Sequence, residues 1–258
     1  MILFCIRKAF FDFWDHFLPS VLCNLGFIVV LSLPMLAPAA VGKLQPELGM
    51  AVFAVGVVVS FVYLGVASMI ARDIVSYQAP EWATIPLYVR QTWKASVALA
   101  LIYLLHIFLL SIALPVYIAM GTVLSLAAMA FLFWASIIWL VASVFYLPIR
   151  AQLDSQIGKI LKKSFLIVFD NTGFALVVAF GALTVLLLSM FTALLLPGIM
   201  GVLIWVNSAL KLRLYKYDYL NEHPAANRRH IPWDELLHDD RERVGKRSFR
   251  GMIFPWKE

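Results

Sequence analysis

Charge is scarce in this sequence. Asp, Glu, Lys and Arg make up 14% of its 258 residues, and hydrophobic residues make up 62%. An average soluble domain has about 25% charged and about 45–50% apolar residues. A fold of this size leaves much of its surface exposed, so water could not surround so much apolar area. The composition excludes an ordinary soluble domain and predicts a protein that is surrounded by lipid.

Cysteine and catalytic motifs are also nearly missing. Cys5 and Cys23 are the only cysteines, and their positions before and inside an apolar run do not indicate a disulfide framework. The sequence contains no HExxH, GxSxG or P-loop motif. We therefore expect no enzymatic activity, no cofactor and no metal. The run His238-Asp239-Asp240 lacks the spacing of a known metal site, and we interpret it as a solvated charge run.

Residues 95–148 form a stretch of 54 residues without Lys, Arg, Asp or Glu. At about 1.5 Å per residue, a single helix of that length would be roughly 80 Å long. The hydrocarbon core of a bilayer is only about 30 Å thick. The stretch must cross the membrane, turn near residues 115–121 and cross back. A second uncharged stretch, the 40 residues 171–210, predicts another such hairpin.

The apolar runs are continuous and do not alternate with polar residues, which favours helices over the strands of a β-barrel. We predict an all-α, polytopic membrane helix bundle with six transmembrane helices. Pro148 ends the fourth helix, since proline disfavours helix in the residue before it, and Pro197-Gly198 is the turn between the last two. The predicted spans are residues 19–41, 48–71, 95–117, 122–145, 173–196 and 199–215.

The spans divide the chain into two parts. Residues 1–215 are the predicted transmembrane domain, and residues 216–258 are a polar cytoplasmic tail. The tail mixes acidic and basic residues, but it ends on the apolar group Phe254-Pro255-Trp256. We expect that group to dock back on the protein or on a partner.

Two segments between spans are predicted to be helices that lie in the membrane interface on the cytoplasmic side. The first, within residues 72–94, carries apolar and aromatic residues at helical spacing from Trp82 to Trp93. The second, within residues 150–169, carries three lysines opposite an apolar face. Their stems can lie along the acyl boundary while the ammonium groups reach lipid phosphates.

The N-terminal region permits two interpretations. Residues 1–17 are an amphipathic lead rich in aromatic side chains, which suit the headgroup zone. Ala37-Pro38-Ala39 has the small-x-small shape of a signal-peptide cleavage site. However, the apolar run that begins at Phe17 is longer than the 7–15 residues of a signal-peptide core. We favour a retained first span over a cleaved signal peptide.

The basic residues predict the orientation. In the six-span model, 20 of the 21 Lys and Arg residues lie on one side of the membrane, and Lys43 alone lies on the other. Basic residues are concentrated in cytoplasmic loops. We therefore predict a bacterial cytoplasmic (inner) membrane protein with both termini in the cytoplasm. The net charge of +6 then reflects topology, and no nucleic acid partner is expected.

Three polar residues inside the spans are candidate ligand-binding residues. His106 lies near the middle of the third span, where an ionisable group is costly and is often functional. It is either a proton relay or ligand contact, or a neutral imidazole bonded to a neighbouring helix. Asn24 and Asn207 permit the same two interpretations, and such side chains usually join helices.

Two prolines in the first span suggest a second possible function, which is transport. Pro34 and Pro38 break its far half, and the freed carbonyls could line a cavity, as in the discontinuous helices of transporters. A proline near a helix end more often tilts the exit of the chain. Ion-coupled carriers usually have carboxylates inside the membrane, and none is present here, which counts weakly against a carrier.

Several short motifs carry a resemblance to a known family. The first span has Asn24, Leu33-Pro34 and Pro38-Ala39. Further along are Trp93-Lys94-x-Ser96, Tyr146-Leu147-Pro148-x-x-Ala151 and the run from Lys162 to Asn171. With these motifs, residues 10–212 resemble the YesL-like family of bacterial multi-span membrane proteins, although Leu36 and Ala37 replace the Thr and Gly often seen there. The resemblance implies a compact multi-span protein, often encoded beside carbohydrate uptake systems, and brings no catalytic residues.

Two functions are compatible with these features. The first is a non-enzymatic accessory or partner of a membrane transport or sensing system, contacted through the tail. The second is a small-molecule transporter or channel with a site near His106 and the first span. The lipid bilayer is the only partner that the sequence itself predicts.

Overall fold

The computed structural model describes residues 1–43, 45–224, 227, 231–245 and 247, and in these residues every regular element is a helix. The all-α prediction is confirmed. The helices are α1 (Ile2–Asp15), α2 (Phe17–Gly42), α3 (Pro46–Val75), α4 (Ile85–Met120), α5 (Val123–Val144), α6 (Tyr146–Gln152), α7 (Ile157–Asp170), α8 (Thr172–Met190), α9 (Gly198–Glu222), α10 (Trp233–Leu236) and α11 (His238–Val244).

Five helical segments in the described residues are long and apolar enough to cross a membrane. They are α2, α3, α4 with the 3-10 turn before it, α5 continued by α6, and α8. A hydrophobic helix of about 20 residues spans the hydrocarbon core. The chain is therefore an integral membrane protein built as a helical bundle.

The sixth predicted span lies in α9, which is not among these five segments. This helix has 25 residues, but Asn207, Lys211 and Arg213 interrupt its apolar sequence. It packs against α1, α2, α3, α6 and α8, and an unbroken run from Leu203 to Leu210 is buried. A helix that is covered on all sides can carry polar residues if they find partners. Its crossing of the membrane stays a prediction.

The first predicted interfacial helix is wrong as a separate element. Trp82 begins a single 3-10 turn, and from Ile85 the chain forms one helix of 36 residues that ends at Met120. Pro86 lies in the first turn of this helix, where a missing N–H costs nothing. The helix ends at Gly121, whose φ of 59° is left-handed, so the turn falls at the end of the predicted 115–121 region.

Pro148 does not end the fourth span as predicted. The helix breaks at Phe145, and Pro148 is the third residue of α6, which continues to Gln152. Proline is tolerated in the first turn of a helix, because that turn has no intrahelical acceptor for its N–H. A separate helix then follows, as predicted, in α7. It buries Ile160, Ser164 and Ile167 against the neighbouring helices α5, α6 and α8, and its interfacial position stays a prediction.

The proline-broken first span is also wrong. Pro34 and Pro38 both lie inside α2, which is one helix from Phe17 to Gly42. The neighbouring helix α3 packs closely against both prolines. A Cβ on Gly56 would lie 2.8 Å from the backbone nitrogen of Pro34, and one on Gly49 would lie 3.2 Å from the Pro38 carbonyl oxygen. The two glycines let α3 lie directly against the prolines.

Candidate functional site

Four charged side chains meet beneath the tail helices at one end of the bundle. They are Lys8 and Asp12 of α1, Lys211 of α9 and Asp240 of α11, and we call them the charge cluster. Lys8 is fully buried, Asp12 is 5% exposed and Asp240 is 3% exposed. Charged groups are almost never buried this deeply unless they are paired.

Lys8 connects α1 to α3 and to the tail. Its Nζ donates to Asp12 Oδ2 at 2.7 Å and to the Val75 carbonyl oxygen at 3.0 Å. The same Nζ lies 3.9 Å from Asp240 Oδ1. The spacing of four residues places Lys8 and Asp12 on one face of α1, and this face packs toward the bundle.

Lys211 reaches the same point from α9. Its Nζ donates to the Val75 carbonyl at 3.1 Å and to Asp240 Oδ1 at 3.4 Å. Val75 is the last residue of α3, where carbonyl groups have no intrahelical partner and the helix dipole is negative. Two ammonium groups therefore cap the C-terminal end of α3.

Tyr77, two residues after the end of α3, binds the carboxylate of Asp240. Its φ of 61° is unusual for a residue with a side chain, and its hydroxyl donates to Asp240 Oδ1 at 2.7 Å. The Tyr215 hydroxyl donates to the other carboxylate oxygen at 2.9 Å. Three cations also lie over the Tyr77 ring: Lys8 Nζ is 4.0 Å, Lys211 Nζ 4.8 Å and the Arg243 guanidinium 4.8 Å from its centroid.

Protonation differs between the two carboxylates. Burial raises the pKa of Asp12 to about 6, against the opposing effect of Lys8. Burial acts in the same direction on Asp240, but the hydrogen bond from Tyr77 and the charges of Lys211 and Lys8 outweigh it, so the pKa of Asp240 lies below its ordinary value. As the pH falls, Asp12 is therefore protonated before Asp240.

The cluster fixes the tail to the bundle. Leu237 and Val244 are buried on either side of Asp240. The Arg247 guanidinium lies 2.9 Å from both Asp15 oxygens, and the Arg7 guanidinium donates to the Gly245 carbonyl at 2.8 Å. The interpretation of residues 238–240 as a solvated run is therefore wrong at its last residue. Phe254-Pro255-Trp256 lies outside the described residues.

A second buried carboxylate joins three helices nearby. Asp73 near the end of α3 accepts from the Arg72 guanidinium at 2.6 Å and from the Tyr88 hydroxyl of α4. Arg72 also donates to the Ala151 carbonyl of α6 at 3.2 Å. Sequence reasoning placed Arg72 and Asp73 in a loop and missed this junction.

Asn24 secures the turn between α8 and α9. Its Nδ2 donates to the carbonyls of Leu195 at 2.9 Å and Pro197 at 2.8 Å, and its Oδ1 accepts from the Met200 N–H at 2.8 Å. The side chain is completely buried. Asn24 therefore satisfies three backbone groups where the turn leaves the helices, and its role as a ligand contact stays a prediction.

Asn207 joins α9 to two other helices. Its Oδ1 accepts from Gln152 Nε2 of α6 at 2.9 Å, and its Nδ2 donates to the Leu203 carbonyl at 2.9 Å and to Ser68 Oγ of α3 at 3.4 Å. It is also completely buried. The geometry is that of an inter-helix contact, and ligand binding by Asn207 stays a prediction.

His106 is different from both asparagines. It is half-buried on α4, and it makes no hydrogen bond with any residue that the structure describes. The structure thus does not bring the three predicted residues together in one site. Asn24 contacts the α8–α9 turn, Asn207 contacts α3 and α6, and His106 stands apart from both.

Two apolar cavities lie beside α2, α3 and α4 in the described residues. One of about 260 Å³ lies between α2, α3 and the start of α4, beside Cys23 and Tyr63. A wider cleft of about 720 Å³ lies between the same helices farther along, with Phe53 and Phe108 in its wall and Lys43 at its edge. Neither is lined by His106, Asn24 or Asn207.

Comparisons with protein-family models, curated proteins and solved structures gave no match to this chain. The resemblance to the YesL-like family stays a prediction. The charge cluster is therefore assigned as the candidate functional site on its geometry alone.

Proposed function

We propose that this membrane protein is a non-enzymatic accessory subunit of a transport or sensing system, and that its docked tail is the surface that the partner contacts. The observation that carries this proposal is Asp240, a tail carboxylate that is buried among groups of α1, α3 and α9. Burying charges is costly even when they are paired. A fold that held its tail only for stability could use apolar side chains more cheaply.

The position of the tail supports an interaction role. Asp240, Leu237 and Val244 face the bundle, while Glu235, Asp239 and Glu242 are exposed on the opposite side of α10 and α11. A helix pair that is fixed in position presents its charges in one arrangement, which reduces the entropy lost on binding. A partner with a basic surface would complement this acidic face.

The proposed location follows from the distribution of basic residues. We place the protein in the bacterial cytoplasmic membrane with both termini inside. The contacts of α1 with α9, Gly245 and Arg247 support one shared side for the two ends. A reporter fused after Glu258 would be active inside the cell, and an active reporter outside would contradict this orientation.

Co-purification from detergent extracts tests the partner proposal. We expect full-length protein and the control Glu47→Gln, at an exposed position in the first turn of α3, to retain the same membrane transport or sensor protein. We expect Asp240→Asn and a chain ending at Asn221 to lose it. Retention of that protein without the tail would refute the proposal, and identification of the partner would also test the suggested link to carbohydrate uptake.

A transporter or channel is the second candidate. The observation in its favour is the cleft of about 720 Å³ between α2, α3 and α4, which is large enough for a small apolar molecule. Phe53→Trp would fill part of the cleft without changing the charge. Unchanged solute uptake by both Phe53→Trp and His106→Ala would rule out this candidate. The accessory-subunit proposal instead predicts that partner binding is lost only when the tail is changed.

A further inference from the structure

The outer half of the α4–α5 hairpin is almost uncovered by the rest of the chain. From residue 101 to residue 141, Ser125 is the only buried residue, and it is buried by the capping bonds that it exchanges with Thr122. Apolar side chains such as Phe108 and Trp134 are more than half exposed. Lipid can cover these apolar side chains without cost.

His106 is a half-buried side chain of this hairpin that makes no hydrogen bond with the described residues. An imidazole has one donor and one acceptor when neutral, and a polar group without a partner in hydrocarbon costs a few kcal/mol. Two neighbouring polar groups on α4 are already engaged. The Tyr103 hydroxyl pairs with Ser143 Oγ at 2.6 Å, and Ser111 Oγ donates to the Phe108 carbonyl at 2.8 Å.

We propose that this surface is the interface between two copies of the chain, with the His106 side chains of the two copies bonded to each other. Two copies in one membrane have the same orientation, so their two-fold axis is normal to the bilayer. A residue near that axis meets its own counterpart at the same depth. A neutral imidazole is self-complementary, because its donor nitrogen can bond the acceptor nitrogen of the second ring.

A second copy fits this surface better than the other possible occupants. Acyl chains have no hydrogen-bonding group at the depth of His106. An unrelated helix would need a polar group at that depth, whereas a second copy has one by identity. Leu105 and Leu109, on either side of His106, are each more than half exposed and supply apolar contact around the polar pair. The proposal does not depend on the docked tail or on any partner.

Cysteine cross-linking in native membranes tests the proposal. The two native cysteines are buried and are first replaced by Ala. We expect Leu109→Cys, one turn from His106, to give a disulfide-linked dimer that contains two differently tagged copies. The control Leu183→Cys, at a half-exposed position in the middle of α8, should stay monomeric. Equal cross-linking of both variants, or an adduct with a different protein, would overturn the proposal.

Energy transfer between labelled copies during dilution with lipid gives an independent measurement. His106→Leu should weaken the association about three- to tenfold, the effect of one hydrogen bond between membrane helices. His106→Asn keeps a donor and an acceptor and should weaken it less. A monomeric wild-type protein at every dilution, or equal association of wild type and His106→Leu, would refute the role of His106. Circular dichroism of both variants checks that the helical fold of the monomer is unchanged.

Discussion

Helix α9 and the α4–α5 hairpin handle polarity in opposite ways. The first carries Asn207, Lys211 and Arg213 and is buried by five neighbouring helices. The second has no Lys, Arg, Asp or Glu from Ala95 to the end of α5, and few of its residues between 101 and 141 are buried. Packing therefore follows the need of polar groups for partners, since apolar helices can remain in lipid but polar ones must be covered by protein. His106 is the exception on the exposed side.

Among the proposed substitutions, removal of the Asp240 carboxylate should cause the largest loss of stability. In Asp240→Ala, Lys8 and Lys211 stay buried without their shared carboxylate, and loss of one member of a buried ion pair costs about 3–5 kcal/mol. Asp239→Ala, at the exposed neighbouring position, should change stability by less than about 0.5 kcal/mol. Thermal unfolding in detergent and proteolysis of the tail measure both variants. Similar results for the two would show that the cluster does not hold the tail.

The second-largest effect on stability is expected from a comparison of Asn24 with His106, two polar residues inside predicted spans. Asn24→Ala leaves three buried backbone groups of the α8–α9 turn without partners, which should cost at least about 2–3 kcal/mol. His106→Ala removes no hydrogen bond within the described chain, so the stability of the monomer should change by less than about 1 kcal/mol. Denaturation in mixed micelles at low protein concentration compares them, and a larger loss for His106→Ala would contradict the structure.

Acidification should strengthen the docking of the tail. Burial raises the pKa of Asp12 from its ordinary value of 3.8 to about 6, and the Asp240 carboxylate of the docked tail adds to this effect. The docked state therefore binds more protons between these values and gains stability as pH falls through 6. Asp240 has a lowered pKa, and its contribution is lost only when pH falls below about 3.8. Asp12 faces Lys8, Lys211 and Asp240 in this range.

A spin label at Asp239→Cys measures this dependence, with the two native cysteines replaced. Its mobility should decrease from pH 7.5 to pH 5.5, and Asp12→Asn should remove most of that change. His16→Gln is the control, because the His16 ring lies 3.1 Å from the Asp12 carbonyl. Mobility that increases on acidification would show that the sign is wrong.

The smallest effect is expected on the exposed hairpin. Trp134 of α5 is 62% exposed, and lipid replaces its contacts in Trp134→Leu, so stability should change by less than about 0.5 kcal/mol. Trp205 of α9 is 7% exposed and its Nε1 donates to the Val178 carbonyl at 2.9 Å. Trp205→Leu should lose about 2 kcal/mol or more from the cavity and the lost bond. Calorimetry or thermal denaturation separates the two.

Some features were predictable because they depend on neighbours along the chain. The uncharged runs predicted the long helices, and Gly121 and Pro197-Gly198 fall where turns were expected. The prolines were less predictable. Pro34 lies inside α2, and Gly56 lets α3 pack directly against it; this contact involves two separate helices.

The charge cluster could not be predicted in the same way. Lys8 was counted only as a topological charge, although the Lys8–Asp12 spacing of four residues was a visible signal of a paired face. Asp240 was interpreted as solvated. Their other partners are Val75, Tyr77 and Lys211, which come from distant parts of the sequence and meet only when the helices pack.

The sequence by itself determined that this chain is helical and lies in a membrane, because long uncharged runs can satisfy their backbone groups in lipid only as helices. The tertiary structure alone decided which charged residues are buried together and that His106 makes no hydrogen bond with the described residues. The physical reason is that burial of a charge depends on the groups around it in space. Those groups come from α1, α3, α9 and the tail in one case and are missing from the described chain around His106 in the other.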